Sequence, residues 1–449
     1  MNSRTSIGRR NATLTALLAC AALGGVASTA AAQVTSPAVA TPKTVSISTV
    51  TVGAPNNASV WIIPFYNNIF QTQDSCNVAL TGLLSGNPPI PNDPAVQKET
   101  IVPGNCVEVG NVPYTFNVGE TELTTTQWVA FLNTADPLGT NRRHLWDAVE
   151  SSKVWPKYGS INRNPKAPVG QRYVVASPEW ANKPYNSADF TRAARFVNSL
   201  QNGRVLSKTI KRVTTVSGAT LTTTTYTVRL SPRTETGQYT MSKRAATRNS
   251  PTKGFVVTSQ NEWIKAAYFD PNGGGTFSYW DYPTNPGILT NCLVDTSGCA
   301  AGGQPSATTL NAGNGNVTNG GVQPLATFEA VPGTAPDWCP SQFTASQCKK
   351  IPNGTKNIYT GNVSTVGQAQ TRSPWGTLDQ GGNVVEITDT ISAPPAANKG
   401  KAVWRRWHGG VVTATAYQMW LSAIGSTPQT IPGYGANPFR GLRIGVIGR

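Results

Sequence analysis

Ser373-Pro374-Trp375-Gly376-Thr377-Leu378-Asp379-Gln380-Gly381-Gly382-Asn383-Val384-Val385-Glu386 carries three glycines and a proline around one double-glycine turn, with a carboxylate on either side of it. Gly and Pro at this density break helices and long strands, so the stretch reads as a structured loop running into a Val-rich segment. Its spacing is not that of a phosphate-binding glycine loop, and neither a GxSxG elbow nor an HExxH helix occurs in the chain. The surroundings share its character. The 449 residues include 43 Gly and 33 Pro, and only 13% are charged, where about 25% is usual. That balance excludes a helical bundle or coiled coil and favours short elements joined by many loops. With 39% hydrophobic residues, 12 Trp, 13 Tyr and 12 Phe, the chain must build a core and is not disordered as a whole.

The N-terminus reads as an export signal over residues 1–32. Arg4, Arg9 and Arg10 precede an apolar stretch from Leu14 to Ala27, and Ala30-Ala31-Ala32 offers small residues before Gln33. Its removal takes three arginines and leaves 34 basic against 21 acidic side chains, a charge of +13. The expected location is therefore secreted, periplasmic or cell-surface. No apolar run beyond it approaches the ~20 residues of a membrane helix. Six cysteines remain, Cys76, Cys106, Cys292, Cys299, Cys339 and Cys348, which in an exported chain suggests three disulfides. Their separations favour Cys76–Cys106, Cys292–Cys299 and Cys339–Cys348, each clipping a loop, and lack the close pairs of a zinc module.

Residues 33–112 read as an N-terminal linker or leading strand followed by a disulfide-clipped extension, and residues 113–449 as the main domain. Thr124-Thr125-Thr126-Gln127 and Ser259-Gln260-Asn261-Glu262 are capping boxes. The first is followed by Trp128, Phe131 and Leu132 at helical spacing, the second by Trp263, Ala266 and Ala267. Ser187-Ala188-Asp189 opens a further helix that buries Phe190, Ala193, Val197 and Leu200 and ends near Asn202-Gly203. Between the last two lies a basic segment: residues 204–253 hold ten Lys or Arg against one acid, Glu235. Thr209 to Leu230 alternates in β fashion about Ser217-Gly218, which predicts a ribbon over 204–233 projecting from the body. Lys208, Lys211, Arg212, Arg229 and Arg233 are expected near its base. They serve either as charges that guard an edge or as a contact for an anionic partner such as surface polysaccharide. No nucleic-acid-binding motif accompanies them.

The order of segments resembles the formylglycine-generating enzyme, or sulfatase-modifying factor, family, above all its secreted bacterial branch, from about Pro113 to Val446. The resemblance rests on Glu120-Thr121-Glu122-Leu123-Thr124 with Gln127 to Asn133, Lys183-Pro184-Tyr185-Asn186 with Asp189 and Ala193 to Asn198, Thr234 to Thr240, Thr258 to Tyr268, Tyr279 to Thr284, and Ser373 to Glu386. It implies an α+β, loop-rich domain related to C-type lectins, here with the basic ribbon inserted before a strand at Thr234–Thr240. It also implies calcium at the double-glycine turn, held by Asp379, the carbonyls of Gly382 and Val384, and Glu386; hard cations take such oxygen sets. The alternative is that Asp379 caps the turn and Glu386 pairs with an arginine.

The family's catalysis depends on a cysteine pair in the last block that binds copper(I), a fit of soft thiolate to soft metal. Here that block reads Arg405-Arg406-Trp407-His408-Gly409-Gly410-Val411, and no cysteine follows Cys348, so copper is not expected. With His144 and His408 as its only histidines, the chain cannot form the three-histidine iron site of the sulfoxide-synthase branch. The favoured function is an exported, non-catalytic binding or structural scaffold stabilised by calcium. Trp404, Trp407, His408, Tyr417, Trp420 and Tyr434 are its candidate ligand surface, with His408 more simply read as a core group and each aromatic taken singly read as readily as core filling. The alternatives are an oxidative protein-modifying enzyme with a rebuilt metal site, and a diversified ligand-binding protein on the same fold.

Overall fold

The computed structural model describes residues 42–64, 69–85, 105–155, 158–214, 220–273, 278–280, 283, 309–310, 317–318, 363, 365–367, 372–392, 402–410, 421–429 and 439–449. Residues 1–32, Ser217-Gly218, Cys292, Cys299, Cys339, Cys348, Tyr417, Trp420 and Tyr434 lie outside them. The described part is α+β with more strand than helix. In chain order the strands are β1 (Thr44–Val52), β2 (Val60–Ile62), β3 (Ile69–Phe70), β4 (Val107–Val109), β5 (Phe116–Gly119), β6 (Ile161–Arg163), β7 (Tyr173–Val175), β8 (Arg204–Thr214) and β9 (Thr220–Arg229). They continue with β10 (Gly254–Val257), β11 (Thr309–Leu310), β12 (Val317–Thr318), β13 (Val385–Ser392), β14 (Trp404–His408), β15 (Gly425–Pro428), β16 (Arg440–Gly441) and β17 (Ile444–Ile447). The helices are α1 (Gln73–Ser85), α2 (Thr125–Ala135), α3 (Phe190–Gln201) and α4 (Gln260–Tyr268).

Cap chemistry sets three of these helices. Thr124 and Ser259 each form the full reciprocal box at the starts of α2 and α4. At α3 the cap is Asp189, whose carboxylate accepts from the Arg192 amide, and the helix stops at Asn202. The expected apolar faces are buried: Trp128, Phe131 and Leu132 on α2, Phe190, Ala193, Val197 and Leu200 on α3. α1 was not foreshadowed by periodicity. Among its described side chains it buries Cys76 and Leu80, and the Cys76–Cys106 disulfide, with Cα atoms 6.0 Å apart, ties it beside β4.

The main sheet runs β10-β17-β5-β1-β9-β8, antiparallel throughout. Its period-2 pattern is plainest in β1, where Val45 and Ile47 point into the core and Ser46 and Ser48 outward. One face packs Val45, Ile47, Tyr226, Val228, Phe255 and Val446 against α2 and α3. The other packs Val50, Val52, Phe116, Val118 and Ile447 with Ala266 of α4.

Two expectations need correction. The basic ribbon exists as β8 and β9, but it is no free projection: β9 pairs with β1 from Thr44 to Val50, so the segment preceding the main domain supplies an interior strand. β9 has a hydrogen-bonding partner on both sides, so of the ribbon's two strands it is β8 that stands at an edge of the sheet among the described residues, at the end opposite β10. Thr234–Thr240 is not a strand. It turns and makes a single bridge, Tyr239 to Arg248.

A second, four-stranded sheet runs β15-β14-β13-β16, with β13 and β16 parallel and the other pairs antiparallel. It sets Glu386 directly opposite His408, and the double-glycine turn delivers the chain into β13.

Candidate functional site: a buried carboxylate cluster beside an open cationic edge

Asp379 and Asn383 both take left-handed backbone, at φ 58° and 61°, with Gly382 at φ 84° between them. Asp and Asn tolerate this region better than other side chains because they are short and polar. The tight reversal carries Asp379 inward. There its Oδ2 accepts from the Gly367 amide, while Oδ1 has no hydrogen-bond donor among the described residues.

Glu386, at the start of β13, is bound from two sides. Arg443 grips it as a fork, Nη2 to Oε1 at 2.6 Å and Nε to Oε2 at 2.9 Å, and Trp263 of α4 donates its indole N–H to Oε2 at 2.7 Å. Arg443 also donates to the carbonyls of Gly119 and Leu378. Of the two roles the sequence left open for Glu386, the arginine pair is the one the geometry makes. An arginine between Leu442 and Ile444 signals this from sequence, since a cation in an apolar strand needs a buried partner.

Sequence reasoning passed over Glu122 as a site residue. It is 2% exposed, neither carboxylate oxygen has a donor among the described residues, and it lies beside Asp379. Burial, then the Asp379 charge, pushes Glu122 well above the usual carboxylate range. Burial likewise lifts Asp379 to about 6. Three buried carboxyl groups thus share one guanidinium. Two of them face each other with acceptor oxygens that a shared proton or a cation must neutralise. A cation there would take Asp379 and Glu122 as its carboxylate ligands, with Glu386 already spent on Arg443. Among the described residues no group of three or more His, Cys, Asp or Glu side chains forms a metal cluster.

Of the residues expected at a ligand surface, Trp404, Trp407 and His408 are among the described ones. Trp407 is buried and packs so closely on Gly425 that a Cβ there would stand 1.9 Å from its ring. His408, 1% exposed, stacks on Trp263 with ring centroids 5.0 Å apart. Burial, then Arg406, lowers the His408 pKa to about 3, so it is a neutral core group. Trp404 is half-buried.

The sign of the His408 contribution follows from the same shift. Its folded pKa lies below the ordinary 6.5, so the unfolded chain takes up a proton that the folded chain refuses. The contribution is complete above about pH 6.5 and is lost as pH falls toward 3, amounting to about 2 kcal/mol by about pH 5. Urea unfolding of wild type and His408→Phe between about pH 7 and 5 should show the wild type losing that much more; parallel curves would refute a buried neutral histidine.

The basic residues line an edge. Arg204, Lys208, Lys211, Arg212, Arg229 and Arg233 are exposed, and none has an ion-pair partner among the described residues. Lys211 and Arg212 lie toward the far end of the ribbon rather than at its base, so the charge is spread along roughly 25 Å of β8. Lys208 is partly engaged, covering the Tyr226 ring and donating to the Arg449 carbonyl at 2.7 Å. A separate open cleft of about 570 Å³ is lined by Lys153, Arg163 and Lys166, but Arg163 there is held by the Gly139 carbonyl and by Trp146. No helix of the described residues is long and apolar enough to cross a membrane.

No protein-family model matches the chain, and no curated protein matches it. Among solved structures it is similar to Treponema denticola variable protein 1, at 16% sequence identity and a TM-score of 0.34, with 75% of this chain and 88% of that chain covered.

Proposed function

We propose that the chain is an exported, non-catalytic scaffold of the formylglycine-generating enzyme type, with a C-type-lectin-like domain, a structural calcium and a cationic binding edge. The observation that supports a scaffold over an enzyme is the state of the last block. His408 is sealed against Trp263, Arg405 is buried over the Phe190 ring at 3.7 Å, and Glu386 is closed off by Arg443 and Trp263. Arg405, Glu386 and the Trp263 indole, polar groups that a rebuilt redox site would draw on, are engaged in internal hydrogen bonds, and the His408 ring is closed under Trp263.

Calcium would be held by Asp379 Oδ1 and the Glu122 carboxylate, whose oxygens have no donor among the described residues, with backbone carbonyls of the turn completing an oxygen shell. Its role would be to neutralise the carboxyl pair. The test is an elemental inventory of the chain from Gln33 onward, before and after chelation, paired with thermal unfolding. One calcium per chain is expected, and at free calcium about a hundredfold above its dissociation constant it should add about 2.7 kcal/mol. Asp379→Asn and Glu122→Gln should each abolish that increment. Absence of calcium with an unchanged melting temperature would leave a shared proton as the neutralising agent and end the calcium reading. Stoichiometric copper or iron would favour an oxidative enzyme instead.

A further inference from the structure

We propose that β8 is a docking edge for an extended acidic polypeptide, which adds to the main sheet as a further antiparallel or parallel strand. The inference deepens the reading of the chain as a binding scaffold and is independent of its calcium.

β8 is 11 residues long and stands last in the sheet, so one row of its backbone N–H and C=O groups has no strand partner among the described residues. Long open edges invite strand pairing, and proteins that do not use them blunt them with lysines, prolines or bulges. β8 has a bulge between Val205 and Ser207 and is rich in cations, yet two features run against pure protection. Leu206 and Ile210 are 43% and 57% exposed on this strand, apolar surface that a guarded edge would not carry. Arg204 and Arg229 stand directly opposite each other in the β8–β9 ladder with no ion-pair partner for either among the described residues, and like charges so placed destabilise a sheet. A strand bearing carboxylates would relieve that repulsion, pair the free backbone groups and cover both apolar side chains.

The charge pattern selects the occupant. Residues 204–233 contain six Lys or Arg and no acid. A second copy pairing edge to edge would set these cations against one another, so self-association is disfavoured by the same charges that favour an acidic partner. An anionic polysaccharide would meet the charges but leave the backbone row and Leu206 and Ile210 unsatisfied. Main-chain pairing plus side-chain charge is the chemistry of strand addition.

The test uses the chain from Gln33 onward and a capped peptide alternating glutamate with threonine, long enough to span β8. Two comparators carry the same charge without the same backbone: that peptide N-methylated at alternate residues, and dextran sulfate. The unmodified peptide is expected to bind, to slow hydrogen exchange at alternate amides from Leu206 to Arg212, and to bind about tenfold more weakly to Lys211→Glu/Arg212→Glu. Both side chains are exposed, so that variant should keep the wild-type melting temperature. Equal binding of either comparator without slowed β8 amides would overturn the proposal in favour of a simple cationic surface. Amides already slow in the free chain would mean that its own residues cover the edge, and a dimer whose formation blocks the peptide would mean a second copy does; each overturns it. Failure of all three probes to bind would also do so, whatever the metal inventory returns.

Discussion

Replacing Arg443 by methionine is expected to remove about 3–5 kcal/mol of folding stability, because it strands buried carboxylates and not because it deletes one bond. Arg443 is fully buried and donates to both oxygens of Glu386 and to the carbonyls of Gly119 and Leu378. Methionine fills much of the volume but leaves Glu386 unpaired, with Glu122 and Asp379 close by. Against a total stability of about 5–15 kcal/mol, such a loss is visible as a large fall in the urea midpoint at unchanged slope. Arg443→Lys should lose a substantial part of the same amount, since an ammonium keeps the charge but cannot reproduce a planar fork reaching two carbonyls as well. The double variant Arg443→Met/Glu386→Leu should recover much of the single loss. If it is no more stable than Arg443→Met, stranded charge is not the cause.

Legibility from sequence followed the range of the interactions. The three capped helices were readable because each start is decided within four residues, by Thr124, Asp189 and Ser259 acting on amides of their own first turns. The β8–β9 ribbon was readable as alternation, but its place in the sheet was not. The pairing of Ile47 with Tyr226 joins segments far apart in the chain, and no local pattern announces which strand receives a neighbour. α1 escaped notice because a helix held by a disulfide needs no strong amphipathic period.

The cluster at the double-glycine turn was half legible for a related reason. Asp379 and Glu386 sit in one continuous motif, so their convergence could be foreseen. Glu122 and Arg443 come from opposite ends of the domain, and Leu378 accepts from Arg443 while its own amide donates to the Glu120 carbonyl. The turn therefore joins the loop before α2 to the last strand. A charged residue embedded in Leu442-Arg443-Ile444 indicates that a buried acid must exist, but only the fold says which acid. The same ambiguity left Trp407 and His408 open between a ligand surface and the core, where the structure puts both. Aromatic and imidazole side chains near a C-terminus suit a ligand surface and a core equally well, and alternation in a five-residue strand cannot tell the two apart.

Trp263→Ala is expected to cost at least as much as the loss of Arg443, about 3–5 kcal/mol from lost packing with about a further 1–3 kcal/mol from the unmet acceptor. Trp263 is fully buried and belongs to the core formed by Val60, Ile62, Val109, Ile264, Tyr268 and Ile424, so its removal opens a cavity among β2, β4 and α4. Its ring faces His408, and Gly409 comes so close that a Cβ there would stand 3.2 Å from the indole. The backbone on that side has little slack with which to collapse into the space. The indole N–H is also a donor to Glu386. Trp263→Phe separates the two contributions: it keeps most of the stack on His408 but removes the donor, and a loss of about 1–2 kcal/mol is expected because Arg443 still holds both Glu386 oxygens. In the Arg443→Met background the same Phe substitution should cost more, since Trp263 is then the remaining side-chain donor to Glu386. Simple additivity across that cycle would show that the two donors act on Glu386 independently, and the cluster would then be a set of separate contacts rather than one coupled unit.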